Sequence, residues 1–300
     1  MPLNLTLLRS FHAVVEAGSV SKAARTGYAS QPGLSKAVRE LEKQLGIALV
    51  ERSTHGSTPT QAGRELFEYA RAIFALEARA EDAIKAHKGV ATATLHIGAS
   101  STIATYVLPP FLKRFCARYP GVSLSLSRGN SREIEARMWS YEFDVVLISG
   151  PPRDNSLSKK AWREDEMVCI CAPDHPLAQQ ELIFPEDLKA CAWVTREEGS
   201  GARDAVEGAL RPYALHSDAL HPAKKVEIGG CEALKQSVAA GMGIAFVSRQ
   251  AAADQIALGK LKVLRLAEIE IRCPFYFVYL PGRPLSPAAQ AFEKFLFQPS

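Results

Sequence analysis

Apolar residues recur at helical spacing through the first ninety positions and then shift to strand-like runs, and this change divides the chain. Leu7, Leu8, Phe11, Val14 and Val15 form one stripe on residues 5–17, which Gly18 ends. Val20, Ala23 and Ala24 share one side of a short second helix, broken at Gly27. A third helix opens at Ser30-Gln31-Pro32. Ser30 is placed to cap it, and Pro32 falls in the first turn, where its missing N–H costs nothing. Leu34, Val38, Leu41 and Leu45 should face a core, leaving Gln31, Pro32, Ser35, Lys36 and Arg39 mostly on another face. Two short segments, ALVERS and STPT, flank Thr54-His55-Gly56 and read as a β-hairpin. Residues 61–88 then run without proline as one helix. Its Leu66, Tyr69, Ile73, Leu76, Ala80 and Ala83 alternate at three and four, the seam of a coiled coil. About 27 residues at 1.5 Å each span about 40 Å. That is too long to serve only its own domain and predicts pairing of two chains.

Gly89-Val90-Ala91-Thr92 is a hinge into a different pattern. TLHIGAS predicts a strand, Pro109–Tyr119 a helix, VSLSLSRG a strand, Ser131–Tyr141 a helix and FDVVLISG a strand. Apolar strands in this order predict a parallel sheet covered by helices. A second set comes next: MVCICAP, AWVTRE, a helix over Gly201–Leu210, KKVEI, a helix over Glu232–Ala240, and GIAFVS. The chain returns through FYFVYLP and ends in a helix at Ser286–Phe297.

At 47% apolar and 23% charged, the 300 residues suit a globular chain of two domains or three small modules. The charge is uneven. Residues 1–64 hold eight Lys or Arg (9, 22, 25, 36, 39, 43, 52, 64) against four acids (16, 40, 42, 51). That excess of four equals the net charge of the whole chain, +4, so the phosphate-seeking surface belongs at the start. MPLNLTLLRSF lacks the marks of a secretory signal, and no apolar run reaches the ~20 residues that span a bilayer. A cytoplasmic chain without a membrane partner is expected. The six cysteines lack C-x-x-C spacing and read as buried small hydrophobes, with Cys169 and Cys171 on one strand face. Seven scattered histidines form no metal-binding pair, so neither metal nor cofactor is expected.

A helix face with a flat amide, a small hydroxyl and two cations can reach base edges and phosphates in a major groove. Taken alone, residues 19–42 read equally as an αα-hairpin with a solvated charged face. The residues beyond them decide. S-Q-P-G-L-S-K-A-V-R-E-L-E-K-Q-L-G at 30–46, L-V-E-R at 49–52 and T-P-T-Q-A-G at 58–63 resemble the N-terminal domain of LysR-type transcriptional regulators. The resemblance continues through almost the whole chain. It implies a multidomain protein: a winged helix-turn-helix, mainly α, leading into a two-lobed α/β effector domain like that of periplasmic binding proteins. The expected divisions are 1–60 for DNA binding and 61–91 for the dimerisation helix and hinge. One lobe covers 92–161 with 268–300, and the other 162–267. Ser30, Gln31, Pro32, Ser35, Lys36 and Arg39 would meet DNA, with Arg52 and His55 of the wing. The family usually carries a bulky aromatic after the wing leucine and a basic residue near its turn; here Val50 and His55 stand instead. Double-stranded promoter DNA, a second copy of the chain (dimer to tetramer) and RNA polymerase are the implied partners.

Ligands in open α/β folds lie beyond the carboxyl ends of strands, where helix starts present free N–H groups. Ser100-Ser101-Thr102, Asn130-Ser131, Ser149, and Ser200-Gly201 after Thr195 occupy such places. Hydroxyls with helix starts suit a small carboxylate or another anion, and the family's ligand-contacting hydroxyls match Ser100, Thr102, Ser149 and Ser200, with Ser131 less closely matched. Singly, each also reads as an ordinary helix cap. Arg196 and Arg203 add charge if they point inward, and Phe246 reads as core. Gly241-Met242-Gly243 lacks the third glycine of a dinucleotide loop, since Phe246 stands there. Ser200 lacks the flanking glycines of a nucleophile elbow. The cysteines do not match the family's peroxide-sensing spacing. No catalytic role is expected. The alternatives are a solute-binding protein, supported by residues 92–300 alone, and an enzyme acting at Ser200 or a cysteine.

Overall fold

The computed structural model describes residues 2–25, 29–53, 56–87, 93–216 and 225–298. The chain forms two compact units: Met1–Lys88 with Trp139–Glu142, and Gly89–Met138 with Phe143–Ser300. The expected break at Gly27, the hinge at 89–92 and His55 lie outside the described residues.

In the first unit, helix α1 (Leu5–Ala17) starts where the Asn4 side chain accepts from the N–H groups of Thr6 and Leu7. It ends at Gly18, whose φ of 68° is left-handed. Helix α2 is Val20–Arg25 and α3 is Gln31–Leu45. The Ser30 hydroxyl accepts from Gly33 N–H at 3.3 Å and caps α3. Leu34, Val38 and Leu41 close on Leu8, Phe11, Val14 and Ala23 in one buried cluster. Leu45 departs from the expectation and is 43% exposed. It is the last residue of α3, and no further helical turn covers it.

Strands β1 (Val50–Ser53) and β2 (Gly56–Pro59) pair antiparallel as the expected hairpin, with Arg52 opposite Ser57. Its base is tied to the helices. The Glu42 carboxylate accepts from Leu49 and Val50 N–H at 2.8 and 3.1 Å, and Ser57 N–H donates to Gly18 O. Helix α4 (Gln61–His87) comes next, capped by the Thr60 hydroxyl. Its first turns are fixed by His12, which stacks on Phe67 at 4.9 Å and meets Phe74 edge-on at 5.6 Å.

The second unit begins with β3 (Ala93–Ser100), a π-helical turn (Ile103–Val107), α5 (Leu108–Arg118), β4 (Val122–Gly129), α6 (Ser131–Met138) and β5 (Val145–Ser149). A 14-residue strand, β6 (Ser158–Cys171), leads onward. Then come α7 (Pro185–Lys189), β7 (Trp193–Arg196), α8 (Gly201–Leu210), β8 (Lys225–Ile228), α9 (Cys231–Ala239), β9 (Ala245–Ser248) and α10 (Arg249–Ala257). β10 (Lys262–Val263), β11 (Ile271–Tyr279) and α11 (Pro287–Phe297) complete the described chain. The main sheet runs β10-β6-β11-β5-β3-β4, with β9 also on β6.

The parallel arrangement expected from strand and helix alternation holds for β3 with β4 and β5, and for the separate β7–β8 pair. β6 and β11 depart from it. β11 comes back along β5 and β6 after the chain has built its second half, so it runs opposite to both. The first half of β6, SKKAWREDE, is too charged to read as a strand, but pairing with β11 satisfies its backbone. One buried cluster, including Ile97, Ile103, Phe115, Cys169, Cys171, Phe275 and Phe292, runs through both halves. A second, around Val168, Ile170, Cys231, Leu234 and Val247, lies under α9 and α10. Cys116 is exposed, against the expectation of burial. Helix α6 ends at Met138, before the expected Tyr141, which has a φ of 56°.

Candidate DNA-reading face and effector site

On α3, burial of Leu34, Val38 and Leu41 turns the opposite side outward. Gln31, Pro32, Ser35, Lys36, Arg39, Glu40 and Lys43 line a shallow open groove there. Gln31, Pro32, Lys36 and Arg39 are exposed, and Ser35 is half-buried. Ser30 is engaged as the cap of the same helix. This face joins a neutral amide to cations within about two helical turns, the chemistry of base edges flanked by phosphates.

In the second unit, several of the expected hydroxyls converge on the carboxyl end of β5. Ser100 Oγ lies 3.1 Å from Ser149 Oγ, and Ser131 Oγ donates to Ser149 O at 3.1 Å. Gly201 closes the group: a β-carbon there would stand 1.6 Å from Ser149 O and 2.9 Å from Ser131 Oγ. Only glycine lets the start of α8 approach so closely. Ser100, Thr102, Ser131, Ser149 and Ser200 are all buried. Ser101 Oγ donates to Gly129 O at 2.9 Å, joining the ends of β3 and β4.

Two expected residues have local duties. Ser200 Oγ accepts from Arg203 N–H and caps α8. Thr195 Oγ1 donates to Val226 O at 3.4 Å across the β7–β8 pair, so its hydroxyl serves that small sheet. Phe246 is buried and stacks on Trp193. Of the two nearby arginines, Arg203 is a brace, bound to Glu207, Glu227 and Arg196 O. Arg196 is 7% exposed and grips Glu197 with two nitrogens at 2.7 and 2.8 Å. Burial pushes the Glu197 carboxyl up, but Arg196 and the Gly230 N–H outweigh it and hold Glu197 below the usual carboxylate range.

Sequence reasoning missed Asp165. It sits in β6 between two exposed or half-buried glutamates, is 3% exposed, and leaves one carboxyl oxygen without a partner. Burial raises its pKa against hydrogen bonds from Ser248 and the Glu166 backbone. Its strand neighbour Cys273 is buried too, and its thiol is pushed up by desolvation. Nothing in the charged run REDE distinguishes the buried acid from its neighbours. Among the described residues no group of three His, Cys, Asp or Glu could hold a metal, and no helix is long and apolar enough to cross a membrane.

The family model for the bacterial regulatory helix-turn-helix protein, lysR family, matches residues 5–64, and that for the LysR substrate binding domain matches residues 88–298. The chain belongs to the LysR family of transcriptional regulators. It is a DNA-binding regulator with an effector-binding domain, not an enzyme, and the N-terminal match removes the solute-binding alternative. The RuBisCO operon transcriptional regulator of Allochromatium vinosum is 34% identical over 296 residues, 99% of this chain and 96% of that one. The CcmR regulatory domain of Synechocystis PCC6803, solved in complex with 2-PG, is 31% identical with a TM-score of 0.61. That likeness covers 68% of this chain and 95% of that one. Full-length CbnR, solved with its target DNA, covers 98% of both chains at a TM-score of 0.74 but only 21% identity, which speaks for the fold of this LysR-type regulator.

Proposed function

We propose that this LysR-type regulator reads promoter DNA as a paired chain and alters its output when a small anion binds in the second unit. The carrying observation for DNA is the outward face of α3: Gln31 for a base edge, Pro32 and Ser35 for groove contact, Lys36 and Arg39 for phosphates. Ser30 sets the helix start against the backbone, Arg52 belongs to the hairpin strand β1 that would flank it, and His55 would be a further DNA contact. Pairing is supported by Tyr69 and Leu76 on α4, seven residues apart on the expected seam and 63% and 40% exposed. A row of large apolar side chains at coiled-coil spacing is stabilised by a second copy of itself. Two pairs would make the tetramer, with RNA polymerase as a further protein partner and the cytoplasm as the place of action.

The effector reading rests on the convergence of Ser100, Ser131, Ser149 and Gly201, with Thr102 adjoining. Hydroxyls gathered beside the positive ends of α6 and α8 favour a carboxylate or phosphate. Ser101, Thr195 and Ser200 would act behind these, through the strand ends, the β7–β8 pair and the helix start that they hold. The 2-PG found on the Synechocystis relative is the first compound to try.

The test is selection of bound duplexes from a random pool by the intact chain, with and without 2-PG. A dyad-symmetric site is expected, with a footprint or affinity that 2-PG changes in the native chain and not in Thr102→Val. Purely salt-sensitive binding without an enriched sequence, in either condition, would refute the sequence-reading assignment. An unchanged 2-PG response in Thr102→Val would remove that residue from the site.

A further inference from the structure

Ser100-Ser101-Thr102 leads directly into the π-helical turn Ile103–Val107, where Leu108 N–H reaches back to Ile103 O. A π turn inserts one extra residue into a helix and re-aims the side chains around it. Its consequence here is visible in packing. Ile103, Ala104, Val107 and Leu108 are buried in the core cluster that holds β3 and β5. Tyr106 alone among them packs instead against the other cluster, with Cys231, Leu234 and Val238 of α9.

The hydroxyl end of Tyr106 is fastened there. It donates to Glu232 Oε2 at 2.5 Å, and the Lys235 ammonium lies 4.7 Å from the centre of its ring. Lys235 is itself 3% exposed, pairs with Glu232 at 3.0 Å and donates to Ala251 O at 2.5 Å. Glu232 and Lys235 neutralise each other, so the tyrosine meets a fixed dipole. The ionisations agree: burial and Glu232 push the Tyr106 hydroxyl well above its ordinary value, while Tyr106, against a smaller effect of burial, helps hold Glu232 low. The same first turn of α9 is tied from the other side, since Gly230 N–H donates to Glu197, three residues before Ser200. Two of the hydroxyl-bearing segments of the candidate site, at Ser100–Thr102 and at Ser200, are therefore joined to the start of α9.

We propose that Tyr106 is a positioning residue that passes the occupancy of the Ser100–Thr102 loop to helix α9. The inference rests on the effector reading given above. A ligand that draws the start of the π turn toward itself shifts Tyr106, and the bond to Glu232 moves α9 with it. An effector acts only through such a difference between two arrangements.

The test is amide hydrogen exchange on the full-length chain, first without ligand. A hydrogen bond to a charged group, half exposed to water, corresponds to about tenfold in local opening. Tyr106→Phe keeps the ring and should speed exchange about tenfold across residues 231–239, leaving β4 and α11 unchanged. In a Glu232→Ala background the same substitution should add nothing. Exchange at 231–239 that Tyr106→Phe leaves unchanged, or that rises equally over the whole unit, overturns the proposal. With 2-PG added, protection of the native chain at both 100–107 and 231–239, reduced in Tyr106→Phe to 100–107 alone, supports it. Protection of both segments in Tyr106→Phe overturns it. If 2-PG protects neither segment in the native chain, 2-PG fails as the effector, and the ligand-free comparison still decides the role of Tyr106.

Discussion

Two glycines of one helix make a controlled experiment on the candidate effector site. Gly208 lies in α8, exposed, and a β-carbon there meets nothing within 4 Å. Replacing it with alanine removes unfolded-state freedom and should stabilise the second unit by about 0.5–1 kcal/mol. Gly201 begins the same helix, but its β-carbon would stand 1.6 Å from Ser149 O and 2.5 Å from Ser149 C. Ordinary contact needs about 3.5–4 Å between heavy atoms, so α8 and β5 must separate by about 2 Å. The obstructing atoms are backbone, in a strand paired on one side with β3 and on the other with β11. The helix start must therefore move. Overpacking of this kind costs about 1–3 kcal/mol, only partly offset by the gain in helix propensity. For a unit of about 200 residues, each kcal/mol corresponds to about 2–4 °C. Calorimetry on the full chain should show the second-unit transition rise by about 1–4 °C in Gly208→Ala and fall by several degrees in Gly201→Ala. The latter should also lose ligand response while keeping DNA affinity, because the reading helix belongs to the other unit. Parallel rises in both variants would refute the close approach of α8 to Ser149.

Three further outcomes are expected. Gln31→Ala should cost about 1–3 kcal/mol on the selected duplex and relax preference at one base pair; equal loss on all duplexes, measured by competition titration, would count against a base contact. Leu76→Asp places a charge in the exposed apolar row of α4 and should dissociate the paired chains in sedimentation equilibrium, whereas an unchanged mass would move the interface elsewhere. Asp165 is an acid whose folded pKa is raised, so its contribution favours the fold below about pH 4, its ordinary titration range, and is lost as pH rises through the folded value. Melting temperatures of Asp165→Asn should therefore match the native chain at pH 4 and exceed it at pH 7, with equal pH profiles refuting the assignment.

What sequence alone determined here is whatever depends on local periodicity and backbone chemistry. The stripes of α1 and α3, the Ser30 cap, the Gly18 stop and the long α4 arise from 3.6-residue spacing and capping, which neighbouring residues set among themselves. The hydroxyls of Ser100, Ser131 and Ser149 were legible as strand-end and helix-start residues for the same reason. Their meeting was not. It depends on β5 lying between β3 and β11 and on Gly201 reaching it from about fifty residues further along, a contact no local pattern encodes. The charged start of β6 carries no strand pattern of its own, because its partner β11 is more than a hundred residues away. Thr195 and Ser200 carry the right groups, but both hydroxyls are engaged, Thr195 by a distant partner across β7–β8 and Ser200 locally as the cap of α8. Asp165 and Tyr106 are the clearest cases. One acid among four charged residues is buried, and one aromatic of a helix start crosses to another core, because long-range packing assigns burial and the extra residue of a π turn assigns direction.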